Sequence, residues 1–137
     1  MTDQEMRKFV SDYVRAINGK DVRGIERYHA DDAEVESYGE PGKRLGRAER
    51  QRYFEERNQA FPDAKMTATN IQVDAGEGRA SFDWTIHATH RGHFKGMAPT
   101  HKPVRHSGTT ELLIRGGRIV QEVSRQNLEK LVEQMRA

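Results

Sequence analysis

Apolar and polar side chains alternate along residues 79–90, and this pattern predicts a β-strand with two unlike faces. One face carries Ala80, Phe82, Trp84, Ile86, Ala88 and His90, and the other carries Ser81, Asp83, Thr85, His87 and Thr89. Successive side chains of a strand point to opposite sides of the sheet. We therefore expect the first set to pack in the core or line a cavity, and the second set to face water or a partner.

Strand patterns separated by turn residues continue on both sides of this segment. We predict strands at about residues 65–74, 79–94, 103–115 and 118–126. Turn residues at 75–78 and 116–117 join the first pair and the last pair as hairpins. Residues 95–100 form a longer connection between the two hairpins. The four strands predict a continuous antiparallel meander.

Helical spacing of apolar residues is typical of the rest of the chain. Thr2 and Glu5 form a capping box at the start of a first helix, which ends at Asn18-Gly19. We predict three more helices: a short one capped by Asp21, one over residues 47–60, and a last one capped by Asn127. Between the second and third helices we predict a turn at residues 29–32, a short strand at 33–38 and a second turn at 39–42.

These elements predict a single α+β domain over residues 1–137. Only one face of the predicted sheet is apolar. We therefore expect a strongly curved, mainly antiparallel sheet whose concave face is covered by the N-terminal helices, with a short helix at the C-terminal end. A chain of this length is sufficient for one core and too short for two domains.

The amino-acid composition limits which kinds of protein this chain can be and which partners it can bind. The chain has 34% hydrophobic and 32% charged residues, which predicts a thin core under a heavily solvated surface. Its net charge of +2 comes from basic residues scattered among acidic ones. We therefore expect no nucleic-acid partner and predict that the charged helix over residues 47–60 is a solvated face. The sequence has no cysteine, no signal-peptide pattern and no apolar membrane segment, so we expect a soluble, cytoplasmic protein.

Several local sequences resemble those of a known family. They are residues 61–63 (FPD), Trp84, residues 89–100 (THRGHFKGMAPT), residues 107–108 (SG) and residues 117–120 (GRIV). Together with the order of the predicted elements, they resemble the SnoaL-like polyketide cyclases, in the superfamily named for nuclear transport factor 2. The resemblance covers nearly the whole chain. It implies a cone-shaped sheet that holds a small apolar molecule. It does not imply a particular reaction, because one fold can support many reactions.

The resemblance also implies which chemistry to look for. Members act as aldol-type ester cyclases, ketosteroid isomerase relatives, epoxide hydrolases or dehydratases, and others have no known activity. The cyclases keep a pocket His on the penultimate strand and a basic Asp near the end of the last strand. Counted from Gly117, these positions hold Thr110 and Ser124 in this chain. The catalytic pair of the cyclases is therefore not carried over.

A different set of inward-facing residues is suited to acid–base chemistry. The register counted from Gly117 places Val104, His106, Gly108, Thr110, Leu112, Ile114, Val120, Glu122 and Ser124 on the pocket side. We predict Glu122 as a general base, His106 as its acid or orienting partner, and Thr110 as a hydrogen-bond donor to a developing enolate. In the alternative interpretation, Glu122 pairs with an Arg, His106 bonds to the backbone, and Thr110 only favours the strand.

Further residues are predicted to contact the bound molecule. They are Trp84, Phe82, Tyr13, Tyr53, His90, Met97, Leu112 and Ser124. Tyr13 and Tyr53 lie on the inner faces of the predicted first and third helices, and a buried tyrosine hydroxyl needs a partner. Met97 is a candidate lid at the mouth of the cavity, or part of a plain turn. Trp84, Phe82 and His90 are equally candidates for the core.

The leading hypothesis is a cofactor-free enzyme of the SnoaL-like group that acts on a small, largely apolar or aromatic carbonyl compound. It works by proton transfer, as an isomerase, aldol-type cyclase or lyase. The alternative is a non-catalytic small-molecule-binding or dimerisation module of the same fold. An epoxide-hydrolase-like enzyme is a weaker alternative, because the register offers no inward Asp.

The same patterns allow predictions about metal ions and about macromolecular partners. His87 and His90 point to opposite strand faces, and no facing carboxylate completes a ligand set, so we predict no metal. The outer sheet face carries Thr85, Thr89 and Thr109 among other polar residues. Because relatives of this fold commonly dimerise through that face, we expect a homodimer. We expect no membrane partner, because the sequence has no apolar membrane segment.

Overall fold

The computed structural model describes residues 1–36 and 42–137. Its helices are α1 (Asp3–Gly19), α2 (Val22–Glu26), α3 (Arg47–Ala60) and α4 (Leu128–Arg136). Its strands are β1 (His29–Glu36), β2 (Arg44–Leu45), β3 (Lys65–Asp74), β4 (Arg79–Thr89), β5 (Pro103–Arg115) and β6 (Arg118–Gln126). The predicted bounds of α3, β3, β5 and β6 are confirmed.

The strands form a six-stranded sheet in the order β2-β1-β6-β5-β4-β3. Strands β3 to β6 pair antiparallel, as the predicted meander requires, whereas β1 pairs with β6 in parallel. Helix α1 packs on β3 and β4, and α4 packs on β5. The predicted α+β fold, with helices on a mainly antiparallel sheet and a short C-terminal helix, is confirmed. The sheet is mixed, because β1 and β6 are parallel.

The inner faces of β4 and β5 build the core, as their alternation predicted. The main core cluster joins α1 to the sheet and includes Met6, Phe9, Val10, Tyr13, Phe82, Trp84, Leu112 and Ile119. A second cluster lies between the end of α3 and α4 and comprises Ala60, Phe61, Ala64, Ala88, Val104, Leu131 and Met135. Full burial of a large apolar side chain contributes about 1.5–3 kcal/mol, so the thin core rests on these few positions.

A β-bulge corrects the predicted inner face of β6. Val120 was predicted to face inward, but Ile119 is the fully buried residue and Val120 is half-buried. The pairing steps from Leu113 opposite Gln121 to Ile114 opposite Ile119, so Val120 is an extra residue on β6. Beyond the bulge the predicted register holds, and Glu122 and the side chains after it at alternate positions point inward.

The first strand begins earlier than its sequence predicts. Residues 29–32 were predicted as a turn, but they belong to β1. The reason is long-range pairing: His29 lies opposite Ile119, and Glu34 lies opposite Gln121 in the parallel ladder with β6. Local turn residues do not reveal such a partner. The predicted end of the strand and most of the predicted second turn, at residues 37–41, lie outside the described residues.

Strand β4 ends at Thr89, five residues before its predicted end at Phe94. The Asp63 carboxylate accepts hydrogen bonds from the backbone N–H of Thr89 at 2.8 Å and from its hydroxyl at 2.7 Å. The following N–H groups of Arg91 and Gly92 both donate to the carbonyl of Ala60. The chain therefore leaves the sheet because the end of α3 supplies its hydrogen-bond partners.

The predicted helix caps are confirmed at α1 and α4 but not at α2. The Thr2 hydroxyl accepts from the N–H of Glu5 at 3.1 Å, and the Glu5 carboxylate accepts from the N–H of Thr2 at 2.9 Å. The Asn127 side chain caps α4. Asp21 precedes α2 and its backbone carbonyl accepts from the N–H of Ile25, but its side chain makes no cap bond.

Helix α3 is not the solvated face that its charges predicted. Arg50 is fully buried and forms an ion pair with Glu26, which is itself 8% exposed. The guanidinium also donates to the carbonyls of Ala33 and Leu45 at 3.2 and 3.4 Å. The buried stripe of this helix is Arg50, Phe54, Arg57 and Ala60. Helical spacing would have indicated this stripe if the two arginines had been counted as part of it.

The outer sheet face is polar and accessible, as the alternation predicted. Its side chains bond to one another across strands: the hydroxyls of Thr85 and Ser107 lie 3.2 Å apart, and Thr109 donates to Asp83 at 3.1 Å. The homodimer expected through this face stays a prediction. Within the described residues, every helix is too short or too polar to cross a lipid bilayer.

Substitution of Arg50 tests the buried ion pair. We expect Arg50→Met to lower the free energy of unfolding by about 3–5 kcal/mol, because it leaves the Glu26 carboxylate buried without its cation. The matched control is Arg47→Met, whose exposed pair with Asp31 is expected to contribute less than about 1 kcal/mol. Urea unfolding followed by circular dichroism measures both. Equal losses in the two variants would contradict the assignment, and Glu26→Leu/Arg50→Met is expected to recover part of the loss.

Candidate functional site

Two adjoining cavities lie between the helices and the inner sheet face. The larger one, which we call the outer cavity, has a volume of about 240 Å³. Its apolar wall consists of Leu45, Phe61, Ala64, Ile86, Ala88, Phe94, Val104, Leu128 and Leu131. Exposed charged side chains surround this wall: Lys43, Glu49, Arg52, Glu56 and Lys95. The outer cavity therefore suits a largely apolar molecule that enters past a mixed-charge rim.

The smaller cavity, which we call the inner chamber, has a volume of about 40 Å³. It lies deeper in the main core, and its polar lining residues include Tyr13, Thr110, Glu122 and Ser124, beside the rings of Phe82 and Trp84. Four residues line both cavities and are here called the neck: Tyr53, Arg57, Ile86 and Gln126. The two cavities therefore share a wall that carries three polar side chains.

Glu122 lies at the inner chamber in a buried hydrogen-bonded cluster. The Tyr13 hydroxyl donates to its Oε1 at 2.7 Å, and Nε2 of His29 lies 3.3 Å from the same oxygen. Tyr13 comes from the buried face of α1, and His29 is the first residue of β1. The parallel pairing of β1 with β6 brings His29 and Glu122 together although they are far apart in the chain. All three residues are at most 2% exposed.

The hydrogen-bond partners of the His29 ring favour its charged form. Nδ1 lies 3.2 Å from the carbonyl oxygen of Ile25, and Nε2 faces a carboxylate oxygen, so both nitrogens meet acceptors. Burial by itself lowers the pKa of His29, but the hydrogen bond and the charge of Glu122 outweigh it and raise this pKa above its ordinary 6.5. His29 and Glu122 therefore form a buried ion pair.

Thr110 and Ser124 also line the inner chamber. Their residues pair across β5 and β6, and their hydroxyl oxygens lie 2.8 Å apart. The indole N–H of Trp84 donates to Thr110 Oγ1 at 3.0 Å. Gly108 permits this arrangement, because a Cβ at that position would lie 2.4 Å from the Trp84 ring. The Trp84 indole therefore packs on β5 at Gly108, and its hydrogen bond to Thr110 holds the hydroxyl pair in place.

His106 and Tyr53 meet at the neck through Gln126. Nε2 of His106 lies 2.6 Å from Oε1 of Gln126. Because an amide oxygen only accepts, this bond places the ring hydrogen on Nε2 and leaves a lone pair on Nδ1. Gln126 also hydrogen-bonds the Tyr53 phenol. The amide of Gln126 therefore connects an imidazole that lines the outer cavity with a phenol that lines both cavities.

Burial sets the protonation of these two groups. Desolvation lowers the pKa of His106 below its ordinary 6.5, and the nearby positive charge of Arg57 lowers it further, against the effect of the Gln126 bond. Desolvation raises the pKa of Tyr53 above 10.0, although Arg57 and Gln126 oppose the rise. Near neutral pH the site therefore presents a neutral imidazole, a protonated phenol and a guanidinium. These are a base, a hydrogen-bond donor and a positive charge.

The two residues predicted as a catalytic pair lie in different places. His106 lines the outer cavity and bonds to Gln126, whereas Glu122 lines the inner chamber and bonds to Tyr13 and His29. No Glu122–His106 hydrogen bond is present among the described residues. The sequence register correctly placed both side chains inward. Glu122 lies opposite Leu112 in the pairing of β5 with β6, and His106 is nearer the start of β5, so the two side chains reach different cavities.

The other predicted contact residues divide into two groups. Tyr13, Phe82, Trp84, Thr110 and Ser124 line the inner chamber, and Tyr53 lines both cavities. Leu112, Met97 and His90 border neither cavity, so the structure does not bring these three predicted contact residues to the candidate site. Leu112 lies in the main core, and Met97 closes a tight backbone turn with Phe94. His90 is fully buried, with Nδ1 3.0 Å from the Thr100 hydroxyl, because the loop after β4 folds back on it.

Three residues of the site were not predicted. His29 was assigned to a turn, Arg57 to a solvated helix face, and Gln126 to the end of a strand without a role. The strand alternation that selected Glu122 and Ser124 also places Gln126 inward, and helical spacing places Arg57 one turn after Tyr53. For His29 the sequence offers no such signal, since its position depends on the parallel pairing with β6. Among the described residues, no cluster of three or more potential metal ligands is present.

Comparison with known proteins gives a consistent picture. The family model described as SnoaL-like polyketide cyclase matches residues 7–135. The solved structure of AclR from Streptomyces galilaeus, provisionally described as a hydroxylase, is 26% identical, with a TM-score of 0.88, and the match covers 98% of this chain and 97% of AclR. No curated protein sequence matches this chain significantly.

Two more distant structures show the same fold. IdmH from Streptomyces antibioticus, provisionally described as a polyketide cyclase, is 20% identical, with a TM-score of 0.81 over 96% of this chain and 98% of its own. TsrD from Streptomyces laurentii is 15% identical, with a TM-score of 0.83 over 98% of this chain and 97% of its own. At these identities the likeness extends to the arrangement of helices and strands.

The His29–Glu122 ion pair predicts a pH dependence of stability. Because the pKa of His29 is raised in the folded chain, the stabilisation is present below the unfolded value of about 6.5 and is lost as the pH rises through the folded value. We expect the unfolding free energy of His29→Gln to approach that of the wild type as the pH rises above 6.5. Urea unfolding across that range measures the difference. The exposed His87→Gln is the control, and a difference independent of pH would contradict the ion pair.

Proposed function

We propose a function from the premise that this chain belongs to the SnoaL-like polyketide cyclase family, whose model matches residues 7–135. The protein is an enzyme that binds a small, largely apolar carbonyl compound in the outer cavity and moves a proton at the carbon beside the carbonyl. His106 is the base, and Tyr53 and Arg57 stabilise the enolate. The reaction class is isomerisation, aldol-type cyclisation or elimination.

The observation that carries this proposal is the bond between His106 and Gln126. It holds the imidazole with its hydrogen on Nε2 and its lone pair on Nδ1, at the wall of an apolar cavity. Desolvation lowers the pKa of His106, so the ring is neutral near pH 7. A neutral imidazole at the wall of an apolar cavity is suited to general-base catalysis. After it takes a proton, the amide oxygen of Gln126 stabilises the imidazolium through the same hydrogen bond.

The proton-transfer step uses groups of the neck. Nδ1 of His106 takes the proton from the carbon beside the carbonyl, and the electron pair of the C–H bond moves into the enolate. The Tyr53 hydroxyl donates a hydrogen bond to the enolate oxygen, and the Arg57 guanidinium stabilises its negative charge. Return of the proton to another carbon isomerises the substrate. Attack of the enolate on a second carbonyl closes a ring, and loss of a leaving group completes an elimination.

We place the base at His106 rather than at Glu122 for two reasons. Glu122 Oε1 already accepts hydrogen bonds from Tyr13 and from His29, so two donors already occupy this oxygen. The inner chamber that Glu122 lines has about 40 Å³, which excludes a ring-sized substrate. Glu122 therefore serves as a charged wall of the inner chamber, held in position by its two partners.

The alternatives make different demands on the same cavity. A non-catalytic binding module requires the outer cavity and no proton transfer. A hydroxylase, the provisional description of AclR, adds an oxygen atom to its substrate. The epoxide-hydrolase-like mechanism requires carboxylates of Asp in the cavity, and the described lining of both cavities contains none. Product mass and proton exchange separate these cases.

Exchange of substrate hydrogen for deuterium tests the proposed step directly. We expect the wild-type protein to accelerate exchange of the methyl hydrogens of 2-acetylnaphthalene in D2O, because enolisation precedes each proposed reaction. His106→Gln is expected to slow the enzyme-dependent rate by about 10²–10⁴-fold, the usual contribution of a general base. Proton NMR follows the loss of the methyl signal.

Matched controls make this experiment decisive. His101→Gln replaces an exposed histidine outside both cavities and is expected to keep the wild-type rate. Fluorescence titration with the same ketone shows whether His106→Gln still binds it. Binding without enzyme-dependent exchange in the wild type would favour the non-catalytic module, and a gain of one oxygen in the product mass would favour the hydroxylase.

The exchange rate is also expected to depend on pH in one direction. Only neutral His106 accepts a proton, and its pKa lies below 6.5. The rate attributable to the enzyme is therefore expected to be constant from about pH 7 to 8 and to fall as the pH drops through the lowered pKa. A rate that instead rises steadily between pH 7 and 8 would indicate a different base.

A further inference from the structure

The inner chamber carries a hydrogen-bonding group that the proposed reaction does not use. Thr110 and Ser124 contribute two hydroxyl hydrogens to their shared site, and one of them lies between the two oxygens, which are 2.8 Å apart. The Trp84 indole N–H donates to Thr110 and uses no hydroxyl hydrogen. Whichever hydroxyl donates to the other, one hydrogen of the pair remains to be donated elsewhere.

A carboxylate lines the same chamber beside this donor, because Glu122 and Ser124 are two residues apart on the inward face of β6. Glu122 lines the same space and is held by Tyr13 and by the protonated His29. A carboxylate has acceptor positions for about four hydrogen bonds. The chamber therefore combines a hydroxyl donor with an acidic acceptor. A group that both accepts and donates a hydrogen bond matches this combination, and a carbonyl or an ether oxygen, which only accepts, does not.

The size of the chamber limits what this group can be. About 10–15 Å³ of cavity volume holds one water molecule, so about 40 Å³ holds a hydroxymethyl group or a few waters but no ring. The neck residues Tyr53 and Gln126 stand between this chamber and the outer cavity. A ligand whose carbonyl oxygen meets Tyr53 can extend past the neck by only one short substituent.

We propose that the inner chamber is a subsite for a hydroxyl group on the carbon next to the substrate carbonyl. The substrate class is then an α-hydroxy ketone whose larger, apolar or aromatic part fills the outer cavity. The hydroxyl accepts a hydrogen bond from the Thr110–Ser124 pair and donates one towards Glu122. This assignment rests on the proposed function, because it takes the position of the carbonyl from the neck.

Three ketones of one shape test the subsite by fluorescence titration of the wild-type protein. They are 2-acetylnaphthalene and its derivatives with a hydroxyl or a methoxy group on the methyl carbon. We expect the hydroxy ketone to bind about 5- to 10-fold more tightly than the parent, as one or two net hydrogen bonds provide. The methoxy ketone, which cannot donate and is larger, is expected to bind more weakly than the parent.

Substitutions of the hydroxyl pair give a distinctive pattern. Thr110→Val and Ser124→Ala each leave one hydroxyl hydrogen, so each single variant is expected to keep most of the preference for the hydroxy ketone. The double variant has no hydroxyl hydrogen at this site, so it is expected to bind the hydroxy ketone and 2-acetylnaphthalene about equally. The control is Thr85→Val/Ser107→Ala, which removes a hydroxyl pair of the same kind on the outer sheet face. It is expected to keep the wild-type ratio.

The outcomes separate this inference from the proposed function. Equal affinities of the wild type for the parent and the hydroxy ketone would overturn the subsite, and would indicate that the chamber retains its own water or is not reached. Failure of all three ketones to bind would contradict the proposed function and the subsite with it. Affinity for the parent ketone reports whether each variant is folded, and the wild-type ranking alone decides the subsite if the double variant does not fold.

Discussion

The register of β6 against β5 is the constraint on which the rest of the site depends. The turn at residues 116–117 is followed by a bulge at Val120, and this single extra residue sets which side chains of β6 face inward. A shift by one residue would turn Glu122, Ser124 and Gln126 to the outer face. The same strand pairs with β1 on its other edge, so the bulge also determines that His29 reaches Glu122.

The inward polar residues are distributed by depth, and their depth decides their roles. Deep in the interior, His29 pairs with Glu122 at the inner chamber, and Arg50 of α3 pairs with Glu26 of α2. At the neck, the polar groups border a larger apolar cavity. The deep ion pairs hold the strands and helices in place, whereas His106, Tyr53 and Arg57 are the groups to which the proposed function assigns the reaction.

The departure from the cyclases at two positions is compensated within the chain. Thr110 and Ser124 occupy the positions where those relatives keep an imidazole and a carboxylate, and here they form a hydroxyl pair anchored by Trp84. A base and an acid are present at other points of the same interior. Under the proposed function, the fold keeps its cavity and the reacting groups lie at the neck and at the wall of the outer cavity, as expected when function resides in side chains grafted on a common scaffold.

The sequence by itself determined the long strands, both ends of α3, the capped starts of α1 and α4, and the inward direction of His106, Thr110, Glu122 and Ser124, because periodicity, caps and turns act over a few residues. Only the tertiary structure decided that Val120 is a bulge, that His29 begins a strand, and that Arg50 is buried. Each of these depends on a partner distant in the chain. For the same reason, the sequence identified Glu122 and His106 as chemical groups but could not determine that each bonds to a different neighbour.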